Sequence, residues 1–217
     1  MSSMGYPVLY VEGKNDLYVV CNLLKENGIE LSRCSGPVVV ETKDSVSQVL
    51  DVMDVAAKAA IGRGQPVGFI LDADKDAHAR WNSVRSRMAS FKFKILKRDM
   101  AAGNIIKSIG KGRVGVWMMP YPNAKSGKLE DFLKELIPDD NKVLPLAQDY
   151  VRNVSSTVEE SERFKDIDVE KAEVAAWLAV QDPPGNPYGT AVTAHSFLPD
   201  KPLAKKFVAW FKGLYSL

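Results

Sequence analysis

Along the first third of the chain, short apolar runs alternate with longer stretches of helical periodicity. Pro7 to Val11 is an apolar run ending at Glu12-Gly13, after which Asp16 to Glu26 carries apolar residues at helical spacing as far as Asn27-Gly28. The pattern predicts strand, loop and helix. Pro37 to Val40 is a β-branched run, and Ser45 to Ile61 sets Val46, Val49, Leu50, Met53, Ala56, Ala57 and Ala60 along one helical face. Arg63-Gly64 breaks that helix, and Val67 to Leu71 is a further near-continuous apolar strand ending at Asp72. Continuous apolar runs separated by helices are what a parallel sheet covered on both faces produces.

Beyond Asp76 the pattern predicts a helix from Ala77 to Ser90, then a strand pair formed by Phe91 to Leu96 and Val114 to Met119. The glycines at Gly103, Gly110 and Gly112 mark the segment between them as a loop with some helix. Helices are expected over Ser126 to Leu136, Val143 to Thr157, Val169 to Val180 and from about Leu203 to Leu214. Helical pattern dominates from Pro138 onward. The expected fold is therefore α/β: a Rossmann-like parallel sheet flanked by helices over residues 1–137, with a helical extension over 138–217 packed on the same domain.

A chain of 217 residues has room for that arrangement but not for two full domains. Apolar residues at 46% and charged residues at 26% exclude a disordered composition. Twenty-nine Lys and Arg against 27 Asp and Glu leave a net charge of only +2, so any surface for a polyanion must be local. No apolar run reaches the length of a membrane span, and the start MSSMGYPVLYVEG lacks the features of a leader, which points to a cytoplasmic protein without a membrane partner. Cys21 and Cys34 form no CxxC and stand beside only two histidines, so neither a disulfide scaffold nor a zinc cluster is indicated.

The chemistry-bearing signal is the placement of acids. Glu12 follows the first apolar strand, and Asp72 and Asp74 follow the third, at the strand ends where ligands gather in open α/β sheets. In an extended chain Asp72 and Asp74 project to the same side, and Glu12 can meet them from a neighbouring strand. Three carboxylates converging there repel unless a cation neutralises them, and all-oxygen ligation suits magnesium. Taken singly, each acid equally fits a helix-capping role, and Asp16 and Asp76 fit it best, although Asp76 can also reach an ion through water.

The segments Val11-Glu12-Gly13-Lys14-Asn15-Asp16 and Leu71-Asp72-Ala73-Asp74 resemble the paired motifs of the Toprim superfamily, over roughly the first two thirds of the chain. A narrower likeness lies in Val114 to Pro120, Gly127 to Phe132, Trp177 to Gln181 and Pro184 to Gly189. These look like a bacterial family of stand-alone Toprim proteins related to the overcoming-lysogenization-defect nucleases. The resemblance implies magnesium- or manganese-dependent hydrolysis of phosphodiester bonds in DNA or RNA, with Glu12, Asp72 and Asp74 on the metal and Glu130 serving a second ion. Where such proteins often carry Asp and Asn after the Met-Pro, this chain has Tyr121-Pro122-Asn123. The alternative is a non-catalytic or partner-dependent, nucleic-acid-binding or regulatory module that works with a separate ATPase, which the resemblance suggests is of the ATP-binding-cassette type. Self-association is left open.

Phosphate chemistry also needs cations. Lys14 lies inside the first acidic motif, Lys125 and Lys128 flank Gly127 near Glu130, and Lys107, Lys111 and Arg113 form a basic loop with glycines that could follow a phosphate backbone. Each of these also fits ordinary solubility charge. Trp177, Trp210, Phe207 and Phe211 sit on helical faces with other apolar residues and are assigned to packing, and His78 and His195 to the surface. No Walker motif, dinucleotide glycine fingerprint or nucleophile elbow is present.

Overall fold

The computed structural model describes residues 5–31, 36–90, 104–121 and 123–217. Strand β1 (Val8–Val11) lies between β2 (Val39–Thr42) and β3 (Pro66–Asp72), and β3 pairs in turn with β5 (Gly112–Met119), all in parallel. The sheet has the order β2-β1-β3-β5-β4, with β4 (Asn104–Ile109) antiparallel to β5 at one edge. This is a mixed, mostly parallel α/β sheet of Rossmann-like type.

Side chains alternate across the sheet as the strand period requires. Leu9, Val11, Ile70, Trp117 and Met119 point to one face, where they pack with Leu17, Val20 and Leu24 of helix α1 (Lys14–Glu26). Phe69, Leu71, Val116 and Met118 point to the other, against Val49 and Met53 of α2 (Val46–Gly62) and Trp81 and Val84 of α3 (Ala77–Arg87). Both faces are covered, which is why β3 and β5 read as continuous apolar runs. Ser45 caps α2 by accepting from the Gln48 amide, and Asp76 caps α3 by accepting from the amides of His78 and Ala79.

The tail from residue 138 onward completes the first face. Helix α4 (Leu129–Lys134) leads into α5 (Val143–Thr157), α6 (Val169–Leu178), the short α7 (Tyr188–Thr193) and the C-terminal α8 (Pro202–Tyr215). Phe207 of α8 packs edge-on to Trp117 at a centroid separation of 5.2 Å and to Phe132 of α4 at 6.0 Å. The Tyr215 hydroxyl donates to the Val8 carbonyl at 2.8 Å, and the Trp210 indole to the Ile105 carbonyl at 3.2 Å. Gly68 and Gly115 are register partners on β3 and β5, and a Cβ on either would meet Leu214 or Tyr215 at 2.5–2.6 Å. Paired glycines therefore open the trough that α8 fills.

One sequence expectation is corrected at β4. The segment around Gly103 to Gly112 reads as a loop, yet Asn104–Ile109 is a strand joined to β5 by the two-residue turn Gly110-Lys111, with Gly110 at φ +57°. A glycine in the left-handed region at a tight hairpin has the composition of a loop, and the strand pairing across it is not visible in that composition. The expected strand at Phe91 to Leu96 lies outside the described residues, as does Cys34. Helix α7 falls in a proline- and glycine-rich stretch that showed no helical period. Among the described residues no helix is long and apolar enough to cross a membrane.

Phe207 has no exposed surface and joins the tail to the sheet. Phe207→Ala is expected to cost about 3–5 kcal/mol in urea unfolding, with one transition seen by both tryptophan fluorescence and far-UV circular dichroism. Two separated transitions would show instead that the tail unfolds on its own.

Candidate functional site

The parallel register of β1 and β3 brings Glu12 and Asp72 together at the carboxyl edge of the sheet. One strand ends at Val11 and its neighbour at Asp72, and the Asp72 amide donates to Glu12 Oε1 at 2.8 Å. The two side chains line a cleft of about 440 Å³ together with Asp16 and Glu130. Asp16 comes from the first turn of α1, where its Oδ2 accepts from the Gly13 amide at 3.0 Å, and only 7% of its surface is exposed. Glu130, also 7% exposed, comes from the first turn of α4.

What carries Glu130 to this edge is a backbone latch. The Asp74 amide donates to the Gly127 carbonyl at 2.9 Å, the Gly127 amide donates back at 2.7 Å, and the Ala77 amide donates to the Lys125 carbonyl at 2.8 Å. Gly127 has φ +125°, and a Cβ there would meet Pro120 at 2.8 Å and Asp131 Oδ2 at 2.9 Å. Glycine is required at this position. Asp131 accepts from the Lys128 amide and pairs with Lys134, so it serves its own helix.

Burial is the largest influence on these acids. It pushes Glu12 up to about 7, countered by the Asp72 amide and reinforced by the charges of Asp16 and Asp74. Burial also lifts Asp16 to about 6, with Glu130 adding to the rise. Asp72 lies well above the usual carboxylate range through burial and then through Glu12, Asp16, Glu130 and Asp74. Its Oδ1 is buried with no hydrogen-bond partner among the described residues. An unpartnered carboxylate oxygen among like charges is costly unless a cation reaches it, and an all-carboxylate donor set fits a hard divalent ion. Among the described residues, however, no three acidic, histidine or cysteine side chains are already gathered as a metal cage.

The expectation for Asp74 is corrected. Asp74 has φ +53°, so the chain is not extended through Asp72-Ala73-Asp74 and the two side chains do not share a direction. Its carboxylate is ion-paired with Arg80 of α3, whose Nε also donates to the Asp72 carbonyl at 3.0 Å. Asp74 lines an adjoining hollow of about 1300 Å³, where it still adds negative charge near Glu12 and Asp72. Asp76 is exposed and engaged as the α3 cap, away from the carboxylate cleft.

The expected cations divide between the two edges. Lys14 lines the cleft, and Lys128 stands between cleft and hollow with its Nζ on the Ile167 carbonyl at 2.6 Å. Lys125 is exposed on the latch loop. Arg113 pairs in register with Pro66 at the opposite, amino edge, and its guanidinium donates to the Gly213 carbonyl and Ser216 Oγ, clamping the end of α8. Lys111, in the turn before it, shares that edge, and Lys107 lies on β4. The basic loop expected from sequence is therefore remote from the acids. His78 and His195 are both exposed, and His195 Nε2 is 2.8 Å from Glu26.

Sequence reasoning missed Asp16 and Lys171 in the cleft lining, and Arg80 and Tyr188 as partners of its edge residues. The Tyr188 hydroxyl donates to Glu130 Oε1 at 3.4 Å, and burial followed by the Glu130 charge raises its pKa far enough to keep it a neutral donor. Asp16 could have been found from its spacing, one helical turn after Glu12. Lys171 and Tyr188 come from distant segments and carry no local signal, while Arg80, six residues from Asp74, meets it only because of the left-handed turn at Asp74.

Glu12 and Asp16 keep their protons to a higher pH when folded than their ordinary values of 4.5 and 3.8 allow in the unfolded chain. The folded state thus binds the extra protons, and stability is full below about pH 4 and declines as pH rises through about 6 to 7. Metal-free protein is expected to lose on the order of a few kcal/mol over this window in urea unfolding, and Glu12→Gln should flatten the slope. A stability that climbs between pH 5 and pH 8 would contradict the burial of these acids.

A family model described as a protein of unknown function, DUF3226, matches residues 6–216. No curated protein and no solved structure matches the chain. The matched span contains Glu12, Asp16, Asp72 and Glu130, the latch that places Glu130, and the helix that closes the sheet. By that match, the chain belongs to the family of proteins of unknown function designated DUF3226.

Proposed function

We propose that the chain is a Toprim-type protein of the cytoplasm whose carboxylate cleft binds magnesium or manganese for phosphodiester hydrolysis in nucleic acid. The observation that carries this reading is the unpartnered, buried Oδ1 of Asp72 beside Glu12, Asp16 and Glu130. Its support is the order of the acids after parallel strands, which resembles the Toprim motifs, and a donor set made of oxygen alone. Glu12, Asp16, Asp72 and Glu130 would hold the ion. A hard cation in such a site supplies Lewis acidity toward a phosphodiester and activates water.

The remaining work falls to the chain's own groups. Glu12 and Asp16 each commit one oxygen to a backbone amide, which fixes the carboxylate plane and leaves the second oxygen for a ligand. Lys14, at the first position of α1, and Lys128 both line the cleft and would contribute positive charge toward a phosphate, Lys128 while also donating to the Ile167 carbonyl. Arg80 holds the Asp72 carbonyl and the Asp74 carboxylate, keeping the end of β3 in place. Because the acids must release protons to bind a cation, affinity rises with pH across the range where Glu12 titrates.

A second reading is favoured by the position of the basic residues. Lys107, Lys111 and Arg113 are not at the acidic edge, so few cations of this chain border the cleft. In that reading a separate chain, such as an ATPase of the ATP-binding-cassette type, presents the DNA or RNA and this chain contributes the carboxylates.

Purified wild type and Asp72→Asn, assayed on DNA and RNA with magnesium or manganese and melted alongside, test the proposal. Wild type is expected to melt at higher temperature with metal and to cleave, and Asp72→Asn to lose both, with cleavage down about 100-fold or more. Metal-free Asp72→Asn should be as stable as wild type or more so, since one buried like charge is gone. Metal stabilisation without cleavage supports the partner-dependent reading. A wild type that is neither stabilised by metal nor able to cleave overturns the metal site.

A further inference from the structure

We propose that Tyr188 is a positioning residue for the cleft: its hydroxyl orients Glu130 toward Asp72 and thereby ties the tail of the chain to cation binding. The inference rests on the reading of the cleft as a cation site. Tyr188 and Glu130 are both buried, at 9% and 7% exposure, and lie 58 positions apart in the chain. Tyr188 belongs to the main core cluster, where the ring alone would be served by phenylalanine. A phenol hydroxyl is favourable in such a place only if it finds a partner, and the partner is one of two buried acids among the described residues. At 3.4 Å the bond is long for O–H···O, so it acts through orientation more than through strength.

The tyrosine is held from the far side by α1, the helix that also carries Asp16. Asn22 Nδ2 of α1 donates to the Gly189 carbonyl at 2.8 Å. A Cβ on Gly189 would meet Tyr18 Cβ at 2.6 Å and Asn22 Nδ2 at 2.9 Å, so α7 can lie on α1 only with glycine there. That contact sets the depth of Tyr188 and hence the height at which its hydroxyl meets Glu130. The stretch Pro184 to Gly189, singled out in the sequence without a role, thus has one: it carries the outer partner of a proposed metal ligand.

The test is a double-mutant cycle on manganese affinity, measured by calorimetry with the full chain for wild type, Tyr188→Phe, Glu130→Gln and the double variant. Tyr188→Phe removes one oxygen and keeps the ring, and is expected to weaken manganese binding about tenfold. In the Glu130→Gln background the same change should do nothing further, because its effect passes through the carboxylate. A purely structural role would lower the melting temperature of the metal-free protein equally in both backgrounds and leave the affinity unchanged. Equal affinity of wild type and Tyr188→Phe overturns the inference alone. So does an undiminished effect of Tyr188→Phe in the Glu130→Gln background, or a Glu130→Gln variant that binds like wild type. Failure of wild type to bind manganese overturns the cation site itself, and this inference with it.

Discussion

Like charges buried side by side destabilise a fold, and the carboxyl edge of this sheet holds Glu12, Asp16, Asp72 and Glu130 together around one cleft. Burial and mutual repulsion raise Glu12, Asp16 and Asp72 above the ordinary carboxylate range. Some relief comes from backbone amides, which donate to Glu12 and Asp16. None reaches Asp72 Oδ1. The fold sustains this arrangement because hydrophobic burial elsewhere is extensive, on both faces of the sheet. Such strain is retained where a site has work to do, which is the physical content of the metal-site proposal.

The rest of the structure holds the acids in place. Parallel pairing of β1 with β3 makes Glu12 and Asp72 neighbours, and the start of α1 adds Asp16 one helical turn later. The latch between Asp74 and Gly127 pulls the start of α4 against the strand ends and delivers Glu130. Helix α8, seated over Gly68 and Gly115, closes the face of the sheet on which α1 lies. Tyr188 then reaches Glu130 from the tail. The tail is thus part of the same core as the sheet, and its side chains extend to the cleft wall.

The adjoining hollow sets a different electrostatic problem. Arg80 ties Asp74 to α3, and Lys134 joins Asp131 to Glu173, so much of the charge on that side is neutralised in pairs. Asp72 has no such partner among the described residues. This difference separates two aspartates that sit only two positions apart: one is ion-paired and the other keeps an unpaired oxygen among the described residues.

Much of the fold was legible in the sequence because its signals are local. The β1, β3 and β5 runs, the amphipathic periods of α1 and α2, and the capping acid before α3 each depend on residues within one or two turns. Glu12 and Asp72 could be placed at the cleft for the same reason: each follows an apolar strand, and parallel strands end on one edge. What the local pattern misjudged were backbone choices, the left-handed Gly110 that makes β4 a hairpin strand and the left-handed Asp74 that turns its carboxylate toward Arg80. Asp16 looked like a helix cap and is one, but tertiary packing also buried it beside Glu12. Arg113 looked like a phosphate contact, yet register put it on the opposite edge, binding the end of α8. The sequence by itself determined the parallel strands β1, β2, β3 and β5 and the edge on which Glu12 and Asp72 lie. Only the tertiary structure decided which charges are neutralised and which are left facing one another, because Glu130 and Tyr188 meet through long-range packing that no local pattern encodes, and Arg80 reaches Asp74 through the left-handed backbone there.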